Sequence, residues 1–341
     1  MTTPHGALPP STMLTQLIMG GCVAQCISVA AHLGLADRMT KGPQASEELA
    51  RACGSHALSV YRLCRALANA GVFEEHDGKR FSLTPMGECL RGDVSGSMAG
   101  MAKMFGECWH AAAWAELLHS VRTGEPAFPT VYGEGLFEWF GTHREEAEIF
   151  NEAMTSFSST TAEAVVAAYD FSSFTRLADI GGGHGFLLAS ILKANPKVQG
   201  VLVDLPQVVE GAKDLLAKNG VEQRCEIVGG DFFKTVPDGC DAYMMKHIIH
   251  DWGDAACTTL LRHCAHGLAP GGRVLVLEQV VPPRGVPSMA KIVDIEMLVM
   301  THGGYERTEA EFAELFGRAG LRLARVVPTE SPVTVLEAVR A

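Results

Sequence analysis

The sequence predicts an α/β chain in which a mostly helical winged-helix domain precedes a doubly wound, Rossmann-like sheet domain. Three observations carry this expectation. The run Leu177-Ala178-Asp179-Ile180 breaks into Gly181-Gly182-Gly183-His184-Gly185 and then into Phe186-Leu187-Leu188-Ala189-Ser190-Ile191-Leu192, the pattern of strand, tight turn and helix. Past residue 175 short apolar runs alternate with helical stretches, which makes a parallel sheet. Between residues 35 and 92 two short helical patterns precede a hairpin signal, and helix, helix, hairpin is winged-helix architecture.

At 341 residues the chain suits two domains. The patterns divide it at 1–100 (winged helix), 101–170 (helical linker region) and 171–341 (sheet domain). No charged side chain occurs before Asp37, and Met13 to Leu35 is apolar. This stretch lacks a basic leader, and Thr15, Gln16, Gly20, Gly21, Gln25, Ser28 and His32 interrupt it, so it is not expected to cross a membrane, which takes roughly 20 apolar residues. Its apolar sides must still be covered, by a second subunit or by the chain's own core. Ser46 to Ala50 opens one short helix, Ser59 to Leu67 another that Gly71 stops, and Val72-Phe73-Glu74-Glu75 and Arg80-Phe81-Ser82-Leu83 alternate across His76-Asp77-Gly78-Lys79.

Winged helices often bind DNA, but the second helix offers only Arg62 and Arg65. Residues 1–100 hold eight Lys and Arg against eight Asp and Glu, and the whole chain carries a net charge of −11. Neither part has the basic footprint that nucleic acid requires, so this domain reads as a dimer scaffold. Ten cysteines include no C-x-x-C pair and read as reduced core thiols of a cytoplasmic protein.

From Met101 to Tyr169 the pattern is helical and rich in aromatic residues, ordinary core in part and in part the supply for a flat aromatic pocket. Phe150 and Met154, with Met297 and Thr301 further on, are the candidate pocket residues. Gly124 to Pro129 reads as a loop at its entrance. Strands are expected at Leu177–Ile180, Gly200–Asp204, Cys225–Val228, Asp241–Lys246, Arg273–Glu278, Leu321–Val327 and Val333–Val339. The last two, joined by only Pro328-Thr329-Glu330-Ser331-Pro332, must pair antiparallel. Ligands sit at the carboxyl ends of such strands, which singles out Asp204, Asp231, Lys246 to Trp252, and Glu278.

The glycine turn lets a ligand approach the backbone and points a helix N-terminus at it. Phe186 stands where a dinucleotide fingerprint needs its third glycine, which disfavours NAD. The stretch Asp179 through Gly185, D-x-G-x-G-x-G, instead resembles the first motif of the S-adenosylmethionine-dependent methyltransferases. Asp204 closes the second strand 25 positions after Asp179, where a carboxylate can accept both ribose hydroxyls. His247 and His250 are three apart, but a strand end does not place such a pair on one face, so no metal is expected. An imidazole at the mouth of the sheet, His250, is placed to take a proton from a bound substrate.

With Gly230-Asp231-Phe232-Phe233 before it and Gly303-Gly304-Tyr305-Glu306-Arg307-Thr308 after it, Lys246-His247-Ile248-Ile249-His250-Asp251-Trp252 resembles the plant caffeic acid O-methyltransferases and their bacterial natural-product relatives. The resemblance spans nearly the whole chain. It implies a homodimeric methyltransferase that uses S-adenosylmethionine on a hydroxylated aromatic small molecule, with His250 as general base flanked by Glu278 and Glu306. It also implies that Asp204 binds ribose, that Asp231 and Phe232 bind adenine, that Trp252 lies near the adenine and that Lys246 contacts the cofactor. Asp179, Gly181, Gly183, Leu205 and Gly230 complete the expected cofactor site.

Glu278, closing its strand, is expected to fix the His250 tautomer. Glu306 has a competing role at a helix start, because Thr308-x-x-Glu311 is a capping box. Asp251 is expected to hold the turn by hydrogen bonding and to border the substrate. An imidazole of pKa about 6.5 facing a phenol of about 10 leaves roughly 5 kcal/mol for complete proton removal, which favours concerted removal or an acidified substrate. Two rivals stay open: the same cofactor with N- or C-methylation or a non-methylating reaction, and a winged-helix regulator that senses the cofactor without turnover.

Overall fold

The helix Pro10–His32 opens the computed structural model, which describes residues 8–341 and divides into two units, one ending at Ala111 and one spanning Ala112–Ala341. Proline falls in its first turn, where no intrahelical donor is lost. Among its residues Ser28, Ala30 and Ala31, near the carboxyl end, are buried, while Leu17 is 77% and Ile18 70% exposed within the unit. The alternative of an intrachain core helix is therefore corrected. So is the membrane argument from composition: at 23 residues and mean hydropathy 1.6 the helix is long and apolar enough to span, because the interrupting residues are mostly small and weakly polar.

The short helices Ser46–Ala52 and Ala57–Asn69 form as expected. Val60, Cys64 and Leu67 line one face of the second and pack with Leu49, Phe73 and Phe81 into a core. Strands β2 (Phe73–His76) and β3 (Arg80–Leu83) pair from Phe73–Leu83 to His76–Arg80. Gly78 and Lys79 take φ of 73° and 58°, as a tight hairpin turn demands. A two-residue strand β1 (Gln44–Ala45) pairs with the other side of β3 and is too short to leave a periodic signal.

In the second unit helices Leu117–Thr123, Ala127–Tyr132, Leu136–Phe140 and Arg144–Ala168 precede the sheet. The expected entrance loop is corrected: Ala127 and Phe128 begin a helix and are fully buried, leaving only residues 124–126 as connection. All seven expected strands are present: β4 (Arg176–Ile180), β5 (Gln199–Asp204), β6 (Cys225–Gly229), β7 (Cys240–Lys246), β8 (Leu268–Glu278), β9 (Leu321–Pro328) and β10 (Thr334–Arg340). Their order is β6-β5-β4-β7-β8-β10-β9. The first five are parallel and β10 runs antiparallel to both β8 and β9.

Both faces of this sheet are covered, which is why its strands read as continuous apolar runs. Leu177, Leu202, Met244, Leu275 and Val335 pack on one side, and Ala178, Val203, Met245, Val276 and Leu336 on the other. The carboxyl ends of the parallel strands thereby bring Ile180, Asp204, Gly229, Lys246 and Glu278 to one edge. All ten cysteines are free, but Cys22, Cys89 and Cys108 are exposed, which corrects the expectation of core thiols for these three: each lies on the outer side of a helical segment.

Candidate active site

The turn after β4 is built by glycines in left-handed conformation, Gly181, Gly183 and Gly185 having φ of 68°, 58° and 80°. Gly183 N–H donates to Asp204 Oδ2 at 2.8 Å and Leu205 N–H to Oδ1 at 2.7 Å. Burial pushes the Asp204 carboxyl up, and these two donors pull it back. Asp179 lies beneath the turn, since a Cβ on Gly182 would stand 2.7 Å from its Oδ2. Burial raises its pKa to about 7 against the opposing charge of Lys246. Side chains added at Gly183 or Gly230 would meet nothing within 4 Å, so open space borders both.

Asp231 accepts from Phe233 N–H at 2.9 Å and pairs with Lys234 at 3.2 Å. Phe232 sits across from Gly181, where a Cβ would stand 3.6 Å from its ring. Trp252 stacks on Phe137 at 5.7 Å and meets the edge of Phe233 at 4.7 Å. Its indole Nε1 is buried without a partner.

His250 occupies the 3-10 turn Ile249–Asp251 that follows β7. Its Nδ1 lies 2.7 Å from Glu306 Oε1 and 3.5 Å from Glu278 Oε2, and its Nε2 lies 3.6 Å from Asp251 Oδ1. A carboxylate only accepts, so the hydrogen is assigned to Nδ1 and Nε2 is left to receive a proton. The expectation that Glu278 fixes the tautomer is thus corrected in favour of Glu306. Glu278 Oε1 is spent on the N–H groups of Ile248 and His250, at 3.1 and 3.2 Å, and Oε2 on His247 Nδ1 at 3.2 Å. The helix start leaves Glu306 free, because Glu311 closes the box with Thr308. Asp251, expected to anchor the turn, faces the His250 ring instead.

Burial alone would lower the His250 pKa, but the carboxylates of Glu278, Asp251 and Glu306 outweigh it and raise it to about 10. Burial brings Asp251 to about 7 and raises Glu306, whereas at Glu278 burial, which would raise the pKa, is outweighed by the His250 and His247 rings, which hold it down at about 2. Lys246 is lowered to about 8 by burial, moderated by Glu278, Asp179 and Asp251. His247 is lowered to about 4, first by burial and then by Lys246.

The expectation that His247 and His250 do not share a face is corrected. Their rings stack at 5.1 Å and 20°, because His247 takes φ of 54° and the 3-10 turn then folds His250 back. Both imidazoles and the Glu278 carboxylate have nitrogen or oxygen atoms within 4.8 Å of one another.

Arg307, 1% exposed, staples this turn: it donates to Ile249 O at 2.9 Å, to Trp252 O at 3.0 Å and to Asp254 Oδ1 at 2.8 Å. Gly304 lies where a Cβ would overlap Thr301 Oγ1 and the His250 carbonyl oxygen, so Thr301 stands beside the turn. Thr301 donates to Met297 O at 2.8 Å, and both are buried. Phe150 reaches Trp252 through Phe137, with centroids 6.2 and 5.7 Å apart. Met154 is partly buried one turn further along the Phe150 helix. Sequence reasoning weighed His247 only as a metal ligand, counted Phe137 only among the aromatic supply, and gave Arg307 and Gly304 no role. Arg307 and Gly304 lay inside a recognised motif, and nothing in a sequence marks a histidine as left-handed.

These residues fit S-adenosylmethionine: a glycine cradle with open space, an orphaned buried indole N–H, and the buried carboxyls of Asp179, Glu278 and Glu306 with the partly buried ones of Asp204 and Asp251, which outnumber the neighbouring bases Lys246, His247 and His250, an excess that suits a cation.

Comparison with known proteins agrees. Residues 114–322 match the O-methyltransferase domain, and residues 15–93 the O-methyltransferase dimerisation domain. The chain is 41% identical to phenazine O-methyltransferase PhzM of Lysobacter antibioticus, covering 98% of this chain and 97% of that one. The crystal structure of LaPhzM superposes with a TM-score of 0.93 at 41% identity, covering 98% and 100%. An 8-amino-8-demethylriboflavin N,N-dimethyltransferase of Streptomyces davaonensis is 39% identical over 92% and 91%. NcsB1, an O-methyltransferase from neocarzinostatin biosynthesis solved with S-adenosylmethionine and 2-hydroxy-5-methyl naphthoic acid, gives a TM-score of 0.77 at 32% identity over 93% and 96%.

Proposed function

Because the chain belongs to the O-methyltransferase family, whose members include enzymes of bacterial secondary metabolism, we propose that it methylates a hydroxyl of a planar aromatic natural product with His250 as general base. It is an S-adenosylmethionine-dependent methyltransferase. The observation that carries the base assignment is the 2.7 Å contact of His250 Nδ1 with Glu306, which leaves Nε2 as the accepting atom beside Asp251.

S-adenosylmethionine supplies an electrophilic methyl on a positively charged sulfur. The glycine turn with Asp179, Gly181, Gly183, Leu205 and Gly230 cradles it, Asp204 takes the ribose hydroxyls, Asp231 and Phe232 the adenine, Trp252 closes over that end, and Lys246 meets its carboxylate side. Phe150, Met154, Met297 and Thr301 hold the acceptor, whose hydroxyl Asp251 orients toward His250 Nε2. Alignment of this kind recovers about 7–11 kcal/mol.

The surrounding carboxylates change the proton balance read from sequence. The carboxylates of Glu278, Asp251 and Glu306 raise the His250 pKa toward that of a phenol, which narrows the mismatch between them. The cost moves into pH instead, because such an imidazole holds its proton at neutrality. His250 releases it more readily once the carboxylates face an added cation.

The dimerisation domain and the exposed Leu17 and Ile18 support a homodimer, and the class of relatives supports a cytoplasmic enzyme. Incubation with methyl-labelled S-adenosylmethionine and a panel of hydroxylated phenazines, naphthoates and quinones, with matching amines, tests the reading. Label on oxygen is expected; label on nitrogen alone, or product without label, overturns it. His250→Ala should reduce turnover by about 10²–10⁴ with cofactor affinity unchanged, and equal loss of both would remove His250 from the chemistry.

A further inference from the structure

At the mouth of the sheet stands the partly buried His247, for which neither the glycine cradle nor the proton transfer has a use. Its backbone is left-handed at φ 54°, a conformation that a Cβ disfavours. Such strain persists where the surroundings over-determine it. Two contacts do so here: Nδ1–H donates to Glu278 Oε2 at 3.2 Å, and the ring stacks on His250 at 5.1 Å.

We propose that His247 is a positioning residue for the methyl transfer, an imidazole turned into the site by its left-handed backbone to hold Glu278 away from the His250 ring. This rests on the assignment of His250 as base. Glu278 Oε2 lies only 3.5 Å from His250 Nδ1, while Glu306 Oε1 lies at 2.7 Å. Two carboxylates thus compete for one N–H, and the His247 donor engages the oxygen that would compete. The backbone N–H groups of Ile248 and His250 engage the other oxygen, so the carboxylate is held on both sides.

The charged and titratable groups around His247 are Lys246 on its own segment, Glu278 at the end of β8, and His250 and Asp251 on the 3-10 turn, with Glu306 beyond them. In that company a protonated His247 would add a cation beside Lys246. A neutral ring instead supplies a donor without changing the charge of the site. Removing the donor leaves Glu278 less satisfied and free to close on His250 Nδ1, so His250 holds its proton more tightly and a smaller fraction is competent at a given pH.

Two variants separate this from a packing role. His247→Gly takes the left-handed conformation freely but lacks the donor. His247→Asn tolerates the conformation and keeps an N–H donor. The glycine protein should lose about tenfold in kcat with cofactor Kd unchanged, and the acidic limb of its kcat–pH profile should move to higher pH by about one unit. The asparagine protein should restore both to near wild type. A wild-type limb in the glycine protein, or equal loss in both proteins without a shift of the limb, overturns the proposal. His250→Ala is measured alongside. If it keeps turnover, the base assignment fails whatever His247 does; if it is inactive while His247→Gly behaves as wild type, only the positioning role fails.

Discussion

His250, Asp251, Glu278 and Glu306 form one buried acid–base unit, and its behaviour belongs to the group, not to any one member. Removing a carboxylate that raises the imidazole pKa must lower it. Glu306→Gln keeps an oxygen near Nδ1 but deletes the charge, so the acidic limb of kcat should move to lower pH, by about one unit, with a fall in the plateau. A profile measured from neutral to alkaline pH checks this, and a limb that stays put or moves upward excludes Glu306 from control of the proton. The identities of His250, Glu278 and Glu306 were legible in the sequence, because each sits in a short, distinctive motif. Their division of labour was not, since it depends on distances between three segments separated by about thirty positions each: 2.7 Å for one acid and 3.5 Å for the other.

The segment from Gly303 to Thr308 works as a buttress, its Arg307 guanidinium bonded to the carbonyls on either side of His250 and Asp251. Gly304 is the close approach that lets the two strips of backbone meet. Gly304→Ala drives a methyl into Thr301 Oγ1 and the His250 carbonyl, which should cost about 1–3 kcal/mol of stability and abolish turnover before cofactor binding. Thermal melts with and without cofactor check this, and an unchanged melt with full activity refutes the close approach. Strands of the sheet were readable because burial on both faces leaves uninterrupted apolar runs such as Val274 to Leu277. The helix Ala127–Tyr132 and the two-residue β1 were not, because neither is long enough to repeat a period, and Pro126 and Pro129 imitate a loop.

At the level of the whole molecule, length and patterning placed the chain in two parts, as the contacts do, but composition misjudged Pro10–His32. An apolar helix awaiting a partner and one suited to a lipid phase carry the same average hydropathy, and only the dimerisation-domain match distinguishes them here. Leu17→Glu with Ile18→Glu puts charge on that helix where it is most exposed. The variant should elute as a monomer by size exclusion with light scattering, while the wild type elutes as a dimer. A dimeric variant would show that the helix is not the contact.

The order of strands has a further consequence. Glu278 ends β8, and Thr334 of β10 is paired directly against it, with β10 lodged between β8 and β9. During synthesis the amino-terminal unit can condense early. The catalytic sheet, by contrast, keeps a gap between β8 and the edge strand β9 until residues 334–340 emerge, and until then the strand bearing Glu278 is an open edge. A nascent chain stalled before that point therefore holds every group of the acid–base unit yet cannot seat it, and its unfilled slot is a place where a wrong strand can dock.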